Sequence, residues 1–128
     1  MKKRADISDL IGIPFVEFGR DPKKGLDCYG LAIEVEKRYG KNLKDVALEK
    51  FSREKLEKTL PEINVRKTDV IQEGSILEFY GLLDNRLHIG VAIGGDLFIQ
   101  STENMGSRIS SIRMSKSYMR LANIYEVL

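Results

Sequence analysis

The apolar residues of this chain change period once. Cys28, Leu31, Ala32, Val35 and Tyr39 recur at helical spacing and form one stripe. They predict a main helix over 28–39, ended by Gly40 at the position past a helix end where left-handed backbone favours glycine. A short first helix is expected over 6–10, stopped by Gly12 and Pro14. Residues 13–27, rich in Gly, Pro and Lys, read as a loop that wraps into the main helix. Ser52 is placed to cap a second helix over 53–60, closed by Pro61. Past the polar stretch 64–75 the period becomes two. Ile76–Tyr80, Leu87–Ile93 and Leu97–Ser101 read as strands, with Leu121–Val127 as a fourth. Helices first and strands later predict an α+β fold, with helices packed on one face of an antiparallel sheet.

Strand parity carries the first chemical information. In Leu87–Ile93 the odd positions are large and aliphatic, whereas His88, Gly90 and Ala92 make a face of mostly small residues that a helix could approach closely. Gly94-Gly95-Asp96 reads as a three-residue hairpin loop, pairing Ala92 with Phe98, Gly90 with Gln100, and His88 with Thr102. Gln100 then shares a face with His88, one diagonal away, roughly 7 to 8 Å between Cα atoms. A two-residue loop would invert the parity and turn Gln100 to the opposite face. Thr102, directly opposite His88, competes with Gln100 for the role of orienting the imidazole.

Composition narrows the function classes. The 128 residues suit one domain spanning 1–128, long enough to bury a core without disulfides. With 21 basic and 19 acidic residues the formal charge is +2, so no strong field points to nucleic acid. No apolar run approaches the roughly 20 residues of a membrane span. After Met1-Lys2-Lys3-Arg4 come Asp6, Ser8 and Asp9 with no apolar segment, which argues against a signal peptide. Synthesis in the cytoplasm with a reduced thiol is the expectation. One cysteine and one histidine cannot furnish a zinc site, and Gly90, Gly94 and Gly95 fit no phosphate-binding spacing. No metal and no cofactor are therefore expected.

What remains is the pair itself. Cys28 stands at the first turn of the main helix, where unpaired N–H groups and the helix dipole favour a thiolate and could bind an oxyanion. His88 on the strand could supply a general base. Taken singly, Cys28 reads as the start of a core stripe and His88 as a structural strand histidine.

The ordered combination resembles the NlpC-type cell-wall cysteine peptidases. Ile13-Pro14-Phe15, Gly19-Arg20-Asp21-Pro22 and Gly25-Leu26-Asp27-Cys28-Tyr29-Gly30-Leu31 are similar to that family's nucleophile region. His88-Ile89-Gly90-Val91-Ala92-Ile93-Gly94 and Phe98-Ile99-Gln100-Ser101 resemble its histidine strand and the strand after it. Glu73-Gly74-Ser75-Ile76-Leu77-Glu78-Phe79 is similar to the strand that precedes the histidine. The resemblance implies a papain-like fold and hydrolysis, through a thioester, of peptidoglycan stem peptides between D-glutamate and diaminopimelate or lysine. It implies Cys28 as nucleophile, His88 as base and Gln100 as the third polar residue. Asp27, Tyr29 and Phe15 would border the oxyanion and the cleft, Phe15 where many members have a tyrosine and Tyr29 in place of the usual serine. The Gly-Arg-Asp-Pro approach looks most like the phage and prophage tail branch, which implies action at the cell wall and other tail proteins as partners. The alternative is a tail-assembly protein that keeps the fold for packing, with little or no turnover.

Overall fold

The computed structural model describes residues 6–46 and 53–128, so Met1-Lys2-Lys3-Arg4 and the expected cap Ser52 lie outside the described residues. A 3₁₀ turn at Ser8–Leu10 takes the place of the expected first helix. A two-stranded hairpin follows, β1 (Arg20–Asp21) and β2 (Gly25–Leu26), and then the main helix α1 (Cys28–Arg38). α2 (Arg53–Thr59) stops one residue short of its expected end, and Pro61 sits inside the 3₁₀ turn Leu60–Glu62. The strands are β3 (Val65–Thr68), β4 (Ile76–Gly81), β5 (Leu87–Gly94), β6 (Leu97–Thr102) and β7 (Gly106–Ser111). One helical turn, α3 (Ile112–Ser115), leads to β8 (Met119–Val127). The strands from β3 onward form one antiparallel sheet in the order β3-β8-β4-β5-β6-β7. The fold is α+β and papain-like, as the pattern and the resemblance imply. Among the described residues no helix is long and apolar enough to cross a membrane.

The β1–β2 hairpin lies within the segment expected to be a loop, and in the larger sheet the strands without a sequence signature are the two at its edges. β3 reads Val-Arg-Lys-Thr, inside the stretch taken as polar, and β7 reads Gly-Ser-Arg-Ile-Ser-Ser. An edge strand needs no continuous apolar face, and charge on it discourages pairing with other chains.

The helix rests on the other face of β5 from the one its small residues suggest. Leu31, Ala32 and Val35 of α1 share a core with Leu87, Ile89, Val91 and Ile93 of β5 and with Ile99 of β6. Ala92 belongs instead to a smaller cluster on the opposite face, with Leu77, Phe79, Phe98, Met119 and Ile112 of α3. Packing the branched side chains against the helix buries more apolar area than packing Gly90 and Ala92 would. The small face has another occupant: a Cβ on Gly90 would lie 2.7 Å from the Phe98 ring.

The β5–β6 turn also differs from expectation, with a compensation. Gly94 pairs with Leu97, leaving Gly95-Asp96 as a two-residue loop. A bulge between Ala92 and Gly94 then absorbs one residue, so that Ala92 faces Phe98 and Gly90 faces Gln100. Gly94 and Gly95 carry the turn at φ of 113° and 58°. Pairing ends at Gly90–Gln100, so His88 and Thr102 are not partners.

Two buried carboxylates are treated differently by the core. Glu78 accepts hydrogen bonds from the hydroxyls of Tyr80 and Tyr125 and from Asn123, tying β4 to β8 beside the bulge at Glu78/Phe79. Glu36 of α1 is buried with its Oε2 lacking a hydrogen-bond partner among the described residues. Burial pushes Glu36 up to about 8, and Lys41 only partly opposes it. Its native pKa thus exceeds its ordinary 4.5, so the native state holds the proton more tightly and stability falls as pH rises from 4.5 towards 8. Glu36→Gln is expected to stabilise the fold by about 1–3 kcal/mol above pH 8, with the gain vanishing below about pH 4.5. Urea unfolding at both ends of that range checks it.

Candidate active site

The region around Cys28 is built around one buried carboxylate. Asp27 caps α1: its Oδ1 accepts from the Gly30 amide at 2.7 Å and from Arg20 Nη1 at 2.8 Å. Its Oδ2 accepts from the Phe18 amide at 3.1 Å. One side chain thereby joins the helix start, the β1 arginine and the bend before it. Gly30 lets that segment cross the first turn, since a Cβ there would lie 2.1 Å from the Gly19 carbonyl oxygen. The sequence Asp-Cys-x-Gly thus has a local physical reading: the aspartate clamps, and the glycine leaves room for what it clamps.

The cysteine held there opens onto a cleft of about 520 Å³, whose lining includes Phe15, Cys28, His88, Gln100, Ser101 and Tyr118. Of the residues picked from the sequence, Cys28, His88, Gln100 and Phe15 meet at this cleft. Asp27 and Tyr29 are not part of its lining. Asp27 is committed to its clamp, and Tyr29 donates its hydroxyl to the Lys44 carbonyl at 2.6 Å while the Arg20 guanidinium stacks 5.6 Å from its ring. Only the main chain of Tyr29 reaches the thiol.

Cys28 comes to the cleft from the helix side of the sheet. His88 stands at the start of β5, before its pairing with β6 begins, with its ring 6.2 Å from that of Phe79. The backbone of Ile89, the next residue, lies close enough to the Cys28 sulfur to favour its thiolate, which brings the thiol beside the main chain of the histidine. Gln100 is fully buried, and its Oε1 lies 2.8 Å from His88 Nε2. The competing candidate, Thr102, is occupied: its Oγ1 accepts from Arg108 Nη1 at 2.7 Å.

Electrostatics leave Cys28 and His88 neutral at rest. Burial pushes the Cys28 thiol up to about 12, outweighing the backbone N–H groups of Ile89, Tyr29 and Cys28 that favour the thiolate. Burial also holds His88 down to about 4, against the opposing pull of its bond to Gln100. At neutral pH the pair is therefore thiol and neutral imidazole. With Nε2 engaged by Gln100, Nδ1 is the nitrogen left to exchange a proton.

Two residues of this neighbourhood carry no sequence signal. Ser110 Oγ lies 2.8 Å from Gln100 Nε2, and the Tyr118 hydroxyl lies 3.4 Å from the same atom. A serine in a polar edge strand and a tyrosine in a turn are too common to be singled out.

The close approach at Gly30 gives a direct prediction. Gly30→Ala is expected to cost about 1–3 kcal/mol, because the Gly19 backbone has to move away from the helix. A lowered urea midpoint with an unchanged slope checks it.

No protein-family model matches this chain, and no curated protein matches its sequence. Solved structures do share its fold. The NlpC/p60 domain of the peptidoglycan hydrolase SagA is 21% identical with a TM-score of 0.59, over 92% of this chain and 90% of that one. A Staphylococcus aureus subsp. aureus Mu50 protein of the NLP/p60 family, described as similar to lipoprotein, is 20% identical with a TM-score of 0.58. That match covers 93% of this chain and 38% of the longer protein. The chain therefore has the fold of the NlpC/p60 domains.

Proposed function

We propose that this chain is a cysteine peptidase that hydrolyses stem peptides of peptidoglycan. The observation that carries the reading is the convergence of Cys28, His88 and Gln100 on one cleft, with the imidazole held through Nε2. A fold shared with a domain of a peptidoglycan hydrolase, and the resemblance of the Asp-Cys-x-Gly and histidine segments, support the substrate class. The bond cleaved in this reading joins D-glutamate to diaminopimelate or lysine. The site of action is the cell wall, in a phage tail or prophage setting.

The chemistry follows from the neutral pair. As Cys28 Sγ attacks the scissile carbonyl carbon, its proton passes to His88 Nδ1, so the thiolate forms only as it is used. In this reading the backbone N–H groups at the first turn of α1 receive the developing oxyanion. His88 then protonates the leaving amine, and the acyl group stays on sulfur as a thioester. Water, deprotonated by His88, attacks the thioester carbonyl and releases the acid and the thiol. Gln100 orients the ring without adding a countercharge for the imidazolium.

The same burial favours a second reading, a packing domain with little turnover, because it holds the thiol and imidazole uncharged. One comparison separates the two. Muropeptides incubated with the protein under reducing conditions are expected to yield cleaved stems by mass spectrometry, and Cys28→Ala is expected to yield none. Absence of Cys28-dependent products would overturn the peptidase reading.

The pH profile tests the electrostatics. The active form needs His88 deprotonated, and its pKa is lowered from 6.5 to about 4. Activity is expected to persist as pH falls through 6 and to disappear near pH 4. An acid limb of kcat/KM centred near 6.5 would contradict this.

A further inference from the structure

Gln100 has two ends, and only one suits a base. With Oε1 towards His88, the imidazole carries its proton on Nε2 and keeps a lone pair on Nδ1. With the amide turned over, the NH₂ group donates to Nε2, the ring proton moves to Nδ1, and no lone pair remains there. The difference between these states lies beyond the histidine, in what meets the far end of the amide.

At that far end are Ser110 Oγ at 2.8 Å and the Tyr118 hydroxyl at 3.4 Å, both towards Gln100 Nε2. The sheet register places the serine: Phe98 pairs with Ser110 and Gln100 with Arg108, so Ser110 is diagonal to Gln100 on the same face. Arg108, directly opposite, turns to Thr102 and leaves the amide to the serine. Tyr118 is fixed through its main chain, its amide donating to the Ser115 carbonyl and its carbonyl accepting from Leu82. Two hydroxyl acceptors match the two hydrogens of one NH₂ group. Turning the amide over would give that group only His88 Nε2 to bond, stranding the second hydrogen of a fully buried residue.

We infer that Ser110 and Tyr118 are positioning residues: by accepting both hydrogens of the Gln100 amide, they set which nitrogen of His88 carries the proton. They act through Gln100 and His88 and need not touch the scissile bond. The inference rests on the peptidase reading for its effect on turnover, but not for its effect on the ring.

The chain has one histidine, so its ring nitrogen signals need no assignment. In a long-range ¹H–¹⁵N correlation spectrum at neutral pH, the wild-type protein is expected to carry the proton on Nε2. The double variant Ser110→Ala/Tyr118→Phe is expected to move a substantial share of the population to the Nδ1–H form. Its kcat on muropeptides should fall about tenfold with KM unchanged, since the fraction of competent base falls and the cleft does not. Ser110→Thr in the Tyr118→Phe background restores a hydroxyl and should restore the wild-type ring signals. Should the double variant not fold, Ser110→Ala alone removes the shorter contact and should shift the signals in the same direction. A wild-type protein with the proton on Nδ1, or ring signals unmoved in whichever of these alanine variants folds, would overturn the inference. Lack of cleavage by the wild-type protein would instead defeat the peptidase reading and leave the ring measurement to decide this one.

Discussion

The carboxylate of Asp27 is the interaction on which the geometry of the site depends. It is buried, and it accepts from the Gly30 amide, the Phe18 amide and Arg20 together. An N-cap of this kind contributes on the order of 1 kcal/mol to a helix, and hydrogen bonds to a charged acceptor contribute more. Its structural consequence is larger than its energy. The first turn of α1 cannot rotate or fray without releasing β1 and the bend at Phe18, so the amides of Cys28 and Tyr29 keep a fixed direction towards the sulfur. The thiol stands at a defined height over β5, against the backbone of Ile89.

Burial secures this precision at the expense of charge. The helix terminus and its N–H groups favour a thiolate, but desolvation is the larger effect and leaves Cys28 protonated. His88 is neutral for the same reason. A neutral glutamine is the third residue that suits such a pair: a carboxylate in its place would stabilise the imidazolium and bring another buried charge into the apolar neighbourhood of Phe79 and Phe98. In the proposed reaction such a pair moves its proton in concert with attack, and hydrogen bonds run from His88 through Gln100 to Ser110 of β7 and to Tyr118 in the turn before β8.

The legible parts of the molecule were those where local chemistry and tertiary need coincide. α1 begins at Cys28 and yields its end to Tyr39 and Gly40 because stripe and glycine act within one segment. The strands β4, β5, β6 and β8 have apolar patterns because each is buried in the sheet interior. The face of β5 that meets the helix was not legible, since alternation separates two faces without saying what covers either. The β5–β6 register is instructive in another way. The expected pairs Ala92–Phe98 and Gly90–Gln100 are present, but a two-residue loop and a bulge produce them in place of a three-residue loop. The two errors in the turn cancel in the parity, and parity is what puts Gln100 beside His88.

The sequence by itself determined the class of fold, the helix that carries the thiol and the three side chains that gather at the cleft. Each of these rests on periodicity, on strand parity or on the resemblance of short motifs, and all of those act over a few residues. Only the tertiary structure decided that Asp27 and Tyr29 serve as clamp and strut while their neighbour Cys28 faces the cleft. Only the tertiary structure brought Ser110 and Tyr118 to the amide of Gln100. Those contacts join residues 10 and 18 positions apart through an edge strand and a turn. No local pattern encodes them, because their chemistry begins only when the sheet has closed.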